Sequence, residues 1–348
     1  MTTIKDVAVL AGVSFKTVSR VINRSPHVKE DVRQRVLRAA DALEYRPHHH
    51  ARHMRTQRSK VFGFLSDDIA TTPFAGQIIQ GAQEAAFRKE MLLLTFNTGG
   101  NAAVEQAAVE MAIERGVEGI IFATMYHRAV QVPKDAFRLP LVLVDCFSPD
   151  RSVRSVVPDE VSGGYSATKL LLEKGHRRIA MINANQKYPA AEGRFRGYRD
   201  ALREYRLTID PELVRLGGWW QDDGYEQTMA LLKLKQIPTA IFCASDRIAM
   251  GAYDALKEQG LKIPGDMSVI GFDNQELLAA HSRPRLTTIS IPYFEMGSWA
   301  VERLTNTAQD SDESPIRPVA LPCPLIARSS VERPANRKLR NKDSAHIR

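Results

Sequence analysis

The 348-residue chain holds three cysteines, Cys146, Cys243 and Cys323, widely spaced and odd in number. They offer neither a disulfide framework nor a zinc-ligand spacing. Each lies in or beside an apolar segment, so buried reduced thiols are expected. No apolar run is long enough to span a membrane, and no charged-then-apolar segment opens the chain as a secretion signal would, so a cytoplasmic location is expected. G-x-S-x-G, H-E-x-x-H, Walker A and dinucleotide fingerprints are all missing, and no positioned nucleophile is visible. No catalytic residue, no cofactor and no enzyme activity are therefore expected. Tandem repeats of short period are missing too.

What is there begins with charge. The net charge is +8, and residues 1–60 carry 13 Lys and Arg against 5 Asp and Glu. That surplus equals the whole net charge, so the remaining residues balance. A cationic segment on an otherwise neutral chain fits an electrostatic footprint on nucleic acid.

The same segment has a helical pattern. Ile4, Val7, Ala8 and Ala11 form one apolar stripe, Gly12 can end that helix in a left-handed turn, and Ser14 can cap the next. In the second helix Val18, Val21 and Ile22 face inward, while Lys16, Ser19, Arg20 and Asn23 lie on other faces. A third helix turns Val32, Val36, Ala40 and Leu43 inward, carries Glu30 and Asp31 at its start, and is over by Pro47. Two short helices joined by a glycine turn and closed by a third is the helix-turn-helix plan. Lys and Arg can read guanine O6 and N7, and Asn an adenine edge. An ordinary three-helix bundle with a solvated polar face is the alternative.

From Val61 onward short apolar runs alternate with helices: VFGFL, MLLLTF, GIIFA and LVLVD, then RIAMI, TAIFCA and SVIGFD. Continuous Val/Ile/Leu runs read as buried parallel strands, and the two sets imply two α/β lobes with a cleft between them. Ligands in such sheets sit at the carboxyl ends of strands. Polar and aromatic residues just after strands, or at the starts of the following helices, are Phe74, Asp145, Arg194, Trp219, Ser245, Asp246 and Asp273. Carboxylates and Arg can pair with vicinal hydroxyls, and an indole face can cover the C–H face of a pyranose. Together they read as a sugar site, although an Asp after a strand is as often a helix cap. Asp246 in particular could cap the next helix, and Trp220 has no assigned role.

Several motifs carry a resemblance to a known family. The run T-I-K-D-V-A-x-x-A-G-V-S-x-x-T-V-S-R-V-I-N is followed by V-x-x-x-V-R-x-x-V, L-x-Y-x-P and A-R-x-M. G-R-F-R-G-Y, P-T-A-I-F-C-A-S-D-R-I-A-M-G and S-V-I-G-F-D-N come later. The chain resembles the lactose-repressor/galactose-repressor (LacI/GalR) family from its start to about Pro334. The resemblance implies an all-α helix-turn-helix head with a hinge helix, then a two-lobed α/β body like type I periplasmic binding proteins. It implies residues 1–47 as the DNA-binding domain, 48–60 as hinge and linker, and 61–334 as the effector-binding and dimerisation domain. Lobe 1 would span about 61–161 and 290–320, and lobe 2 about 162–289 and 321–334. The basic tail, 335–348, lacks an apolar period and is expected to be disordered.

Residue roles follow from the same resemblance. Phe15, Lys16 and Arg20 fall where family members read bases, and Thr17, Ser19 and Asn23 where they hold phosphates. Phe15 could instead belong to the core. In the hinge, His50, Ala51, Met54 and Arg55 fall on DNA-contacting positions, with Met54 at the wedge usually held by Leu. His48–His50 could bind metal, but a groove-facing tract is the reading kept, and no metal is expected. Arg194, Trp219, Asp273 and Phe74 fall on effector-contact positions, joined by Asp145 and Ser245.

The expected protein is a sequence-specific transcriptional repressor of carbohydrate-utilisation genes. It would act as a homodimer on a palindromic double-stranded DNA operator and be released by a sugar inducer. The missing C-terminal heptad argues against a tetramer. Alternatives are a co-repressor- or phosphocarrier-dependent regulator of the same family, or a sugar-binding protein without DNA function.

Overall fold

The computed structural model describes residues 2–22, 25–45, 59–185, 187–306 and 316–335. Asn23, the hinge positions His48–His50, Ala51, Met54 and Arg55, and the tail from 336 lie outside them. The chain divides into two compact units, Met1–Ser59 and Lys60–Arg348.

The first unit contains helices α1 (Ile4–Ala11), α2 (Phe15–Ile22) and α3 (Glu30–Ala42). Thr3 and Asp6 form a reciprocal capping box at the start of α1, with the Thr3 amide donating to Asp6 Oδ2 at 2.7 Å. Gly12 ends α1 at φ 62°, a left-handed turn that costs glycine nothing. The Ser14 hydroxyl accepts from the Thr17 amide at 3.2 Å and so caps α2. Val7, Ala8, Ala11, Val18, Val21, Val36, Ala39 and Ala40 form the buried core, with Ile4, Ile22 and Leu43 packed against it. In α3 the buried face runs through Ala39, and Val32 is only half-buried, so this helix meets the core later along its length than its apolar spacing suggested. Phe15 is 54% exposed and therefore stands outside the core.

The second unit has two six-stranded sheets. Sheet 1 contains β1 (Val61–Ser66), β2 (Leu92–Asn97), β3 (Ile120–Ala129), β4 (Leu141–Phe147), β5 (Ser155–Pro158) and β11 (Val319–Leu321). Its order is β11-β5-β4-β3-β1-β2, and every pairing is parallel. Sheet 2 contains β6 (Ile179–Ala184), β7 (Val214–Gly217), β8 (Ala240–Cys243), β9 (Ser268–Asp273), β10 (Thr287–Ser290) and β12 (Leu325–Ile326). Its order is β12-β10-β9-β8-β6-β7, parallel except where β12 meets β10. The chain passes between sheets after β5, after β10 and between β11 and β12. The short strands β5 and β7 lie outside the apolar runs that marked the longer ones. β7 is an edge strand with no fully buried residue, so its sequence carries little of the buried-strand signal.

The helices are α4 (Pro73–Arg88), α5 (Ala102–Glu114), α6 (Glu160–Glu173), α7 (Pro189–Glu204), α8 (Gln221–Leu232), α9 (Asp246–Glu258), α10 (Glu276–Ala279) and α11 (Tyr293–Thr305). Helix α7 begins at Pro189, so Arg194 lies in its second turn and does not open it. Helices α6 and α7 pack backbone to backbone. A Cβ on Gly197 would stand 2.2 Å from the Val161 carbonyl oxygen, and one on Gly164 2.4 Å from that of Arg194. This contact holds the first residue of α6, Glu160, against Arg194. Cys146, Cys243 and Cys323 are all buried free thiols. Among the described residues no helix is long and apolar enough to cross a membrane.

Candidate functional site

In the first unit, the side of α2 away from Val18 and Val21 carries Phe15, Lys16 and Arg20, all exposed. Thr17 and Ser19 are half-buried beside them, and the Thr17 and Ser14 hydroxyls are 3.0 Å apart. An exposed ring followed by a Lys and an Arg on one helix can offer a thymine-methyl contact and guanine donors together.

In the second unit a cleft gathers side chains from both sheets. It is lined by Phe74, His127, Asp145, Glu160, Arg194, Trp219, Ser245, Arg247, Asp273, Gln275 and Tyr293, among others. Six of the seven effector candidates read from the sequence are on this wall. The seventh, Asp246, is not. Its carboxylate is fully buried behind the wall, accepting from the Gln275 amide at 2.7 Å and the Thr288 hydroxyl at 2.6 Å. It ties β10 to the start of α10 and leaves the capping of α9 to Ser245, whose hydroxyl accepts from the Ile248 amide at 3.1 Å.

Arg194 is the centre of the cleft, and it is 3% exposed. Its Nε donates to Glu160 Oε2 at 2.7 Å and its Nη2 to Glu160 Oε1 at 3.3 Å. Nη1 donates to the Ala244 carbonyl and lies 3.5 Å from Asp273 Oδ1. The guanidinium also rests on Phe272, 3.8 Å from the ring centroid, with Trp219 at 5.4 Å. Burial disfavours the Arg194 charge, but Glu160 and Asp273 outweigh it and raise the pKa further. Burial raises the Glu160 pKa, and Arg194 restrains the rise.

Two aspartates face this arginine from left-handed backbone, Asp145 at φ 56° and Asp273 at φ 112°. Asp145 lies two residues before the end of β4 and Asp273 closes β9, and left-handed backbone at either is strained for a residue other than glycine. Burial pushes Asp273 up to about 6, against the pull of Arg194. Burial, then the Glu160 charge, pushes Asp145 far above the usual carboxylate range. Asp145 Oδ1 is buried and accepts no hydrogen bond from the described residues. His127, at the end of β3, has its Nδ1 4.0 Å from Glu160 and without a hydrogen bond. Burial and the nearby Arg194 and Arg151 push it down to about 4, so at neutral pH this contact is not an ion pair.

The aromatic part of the wall pairs Phe74 with Tyr293, stacked with centroids 5.0 Å apart. Trp219 is half-buried opposite them. Trp220 is 60% exposed and carries the Arg247 guanidinium 4.6 Å above its ring, at the cleft mouth. Glu160, His127, Tyr293, Arg247 and Gln275 were not among the sequence candidates. Tyr293 was legible in principle: TTIS is a short β-branched strand, and the same search past its end meets Tyr293. Glu160 reads locally as one more acid in a first helical turn, behind its cap Asp159.

A cationic helix-turn-helix unit followed by two α/β lobes around a polar cleft defines a ligand-responsive DNA-binding regulator. The model of "bacterial regulatory proteins, lacI family" matches residues 3–48, and that of a "periplasmic binding protein-like domain" matches 168–331. The ribose operon repressor of Haemophilus influenzae is 34% identical over 331 residues, covering 95% of this chain and 99% of the relative. The Lac repressor dimer bound to operator and the anti-inducer ONPF aligns at TM-score 0.77 and 27% identity, covering 95% of this chain and 99% of that one. A LacI family regulator from Enterococcus faecium with bound ribose aligns at TM-score 0.63 and 27% identity, covering 78% and 99%. This chain belongs to the LacI family and is a DNA-binding transcriptional regulator.

Proposed function

We propose that the protein is a cytoplasmic, homodimeric repressor of carbohydrate-utilisation genes, released from a palindromic operator by a sugar. In this reading residues 1–47 read the operator, 48–60 form the hinge, and 61–334 bind the sugar and dimerise. Lys16, Arg20 and Phe15 meet base edges, while Thr17, Ser19 and Asn23 hold phosphates. His50, Ala51, Met54 and Arg55 belong to the hinge contact. The observation that carries the sugar assignment is Arg194, buried between Glu160 and Asp273 and flanked by Trp219. Around it, Asp145 and Asp273 offer acceptors to vicinal hydroxyls, and the indole and Phe74 offer apolar faces to ring C–H groups. The relatives support the reading, since one is a ribose operon repressor and one structure holds ribose.

Induction requires that the sugar bind the DNA-free arrangement more tightly than the DNA-bound one. That difference bounds the effect at roughly 1–3 kcal/mol for ordinary coupling. The test is fluorescence anisotropy of DNA from the gene's own upstream region against scrambled DNA, with and without a panel of pentoses, hexoses and disaccharides. Specific binding released by one sugar is the expected result. Binding that appears only with a ligand would replace induction with co-repression. Specific binding unaffected by every sugar would remove the sugar assignment.

A further inference from the structure

We propose that Glu160 sets the charge selectivity of the cleft. By occupying the guanidinium fork of Arg194, it makes the site a receptor for an uncharged polyol and closes it to phosphorylated or carboxylate sugars. The inference rests on the sugar reading above and narrows it.

An arginine fork facing a cavity is ordinarily an anion receptor, because its parallel N–H groups match a phosphate or carboxylate. Here that edge is filled from within the chain, by Glu160 oxygens at 2.7 and 3.3 Å. The remaining terminal nitrogen points at the Ala244 carbonyl and Asp273. An incoming anion would have to displace Glu160, a side chain only 4% exposed. The backbone leaves Glu160 little room to retreat, since a Cβ on Gly193 would already stand 2.6 Å from Glu160 Cβ. Glu160 and Asp273 stand close around Arg194, so the guanidinium charge is already met by acids of the chain itself. Arg247 stands over Trp220 at the mouth, and its charge acts on Asp273 in the same sense as that of Arg194. A neutral polyol meets none of this opposition. Its hydroxyls can donate to Asp145 Oδ1, which accepts nothing from the described residues, and to Asp273.

The test uses the full-length chain and isothermal titration with neutral monosaccharides, their phosphates and inorganic phosphate. Wild type, Glu160→Gln and Glu160→Asp are compared, with thermal melts establishing that each variant is folded. In wild type, a sugar phosphate should bind at least roughly tenfold more weakly than its neutral parent, and inorganic phosphate should not bind at millimolar concentration. Glu160→Gln should gain roughly tenfold or more in affinity for inorganic phosphate, because a carboxamide cannot neutralise the fork. Glu160→Asp, which keeps the charge, should stay closed to it. Wild type binding a sugar phosphate as tightly as its parent overturns the proposal, and so does folded Glu160→Gln gaining nothing for phosphate. If Glu160→Gln does not fold, the comparison of neutral and phosphorylated sugars on wild type decides. If no neutral sugar binds wild type, the sugar reading fails, and inorganic phosphate alone then judges the charge gate.

Discussion

Replacing Arg194 with Met isolates the energetics of the cleft. The substitution removes both hydrogen bonds to Glu160 and the positive charge beside Asp273, while keeping an unbranched apolar side chain against Phe272. Glu160 would then be a carboxylate 4% exposed, with only a neutral His127 at 4.0 Å. Removing one partner of a buried ion pair costs about 3–5 kcal/mol, most of it the penalty of the stranded charge. For a body of this size that corresponds to a fall in Tm of roughly 5–8 °C. The measurement is urea unfolding followed by tryptophan fluorescence, which reports the second unit alone because Trp219, Trp220 and Trp299 all lie there. Adding Glu160→Gln to Arg194→Met should recover most of the loss, since the stranded charge is gone. The deficit of Arg194→Met should also shrink as the pH falls. Burial raises the Glu160 pKa, so it is the ionised form that the folded state penalises, and protonation relieves it. A loss under about 1 kcal/mol, or a double variant less stable than Arg194→Met alone, would refute this account.

Three further outcomes are expected. Burial pushes Asp273 up to about 6, and its carboxylate accepts hydroxyl hydrogens better than its acid form does. Sugar affinity should therefore be nearly flat from pH 7 to 8 and weaken below pH 6, by at most about tenfold per unit; a flat profile down to pH 5 would remove Asp273 from the contact. His127, pushed down to about 4, stays neutral through that window and adds nothing to the slope. Lys16→Ala or Arg20→Ala should weaken the specific operator by roughly 1–3 kcal/mol per half-site contact, whereas equal loss on random DNA would assign these side chains to phosphates. Gly197→Ala should destabilise the second unit and weaken sugar binding together, because its Cβ would collide with the Val161 carbonyl oxygen and drive Arg194 from Glu160. Unchanged stability by urea titration would contradict that tight packing.

Local rules made the first unit readable. Caps, a glycine turn and one apolar stripe act within three or four residues of one another, and Thr3, Gly12 and Ser14 show that chemistry directly. Phe15 was ambiguous because its spacing to Val18 and Ile22 is also that of a core residue. Packing resolved it, since Val18 and Val21 fill the interface with α1 and α3 and leave the ring outside. Strand ends in the second unit were legible for the same local reason, as continuous apolar runs stop where polar residues begin. Among the residues found there, Asp246 is the one that the structure does not place on the cleft wall. Its carboxylate sits at the right place in the sequence, but the Gln275 amide and Thr288 hydroxyl turn it behind the wall.

By itself, then, the sequence determined the order of elements, the segregation of positive charge into the first unit, and which strand ends could carry a site. These follow from periodicity, capping and composition, all of which act along the chain. Only the tertiary structure decided what surrounds Arg194. Glu160 lies 34 residues before it in sequence. His127 and Tyr293 arrive from sheet 1 and from the start of α11, on the far side of chain crossings between the sheets. Nothing in the local pattern of Glu160 or His127 distinguishes them from an ordinary helix-start acid or a strand-end histidine. Their convergence depends on sheet order and on the close glycine-mediated contact of α6 with α7. Those are long-range consequences of burial, and they surround the Arg194 guanidinium with acids and a carbonyl of its own chain.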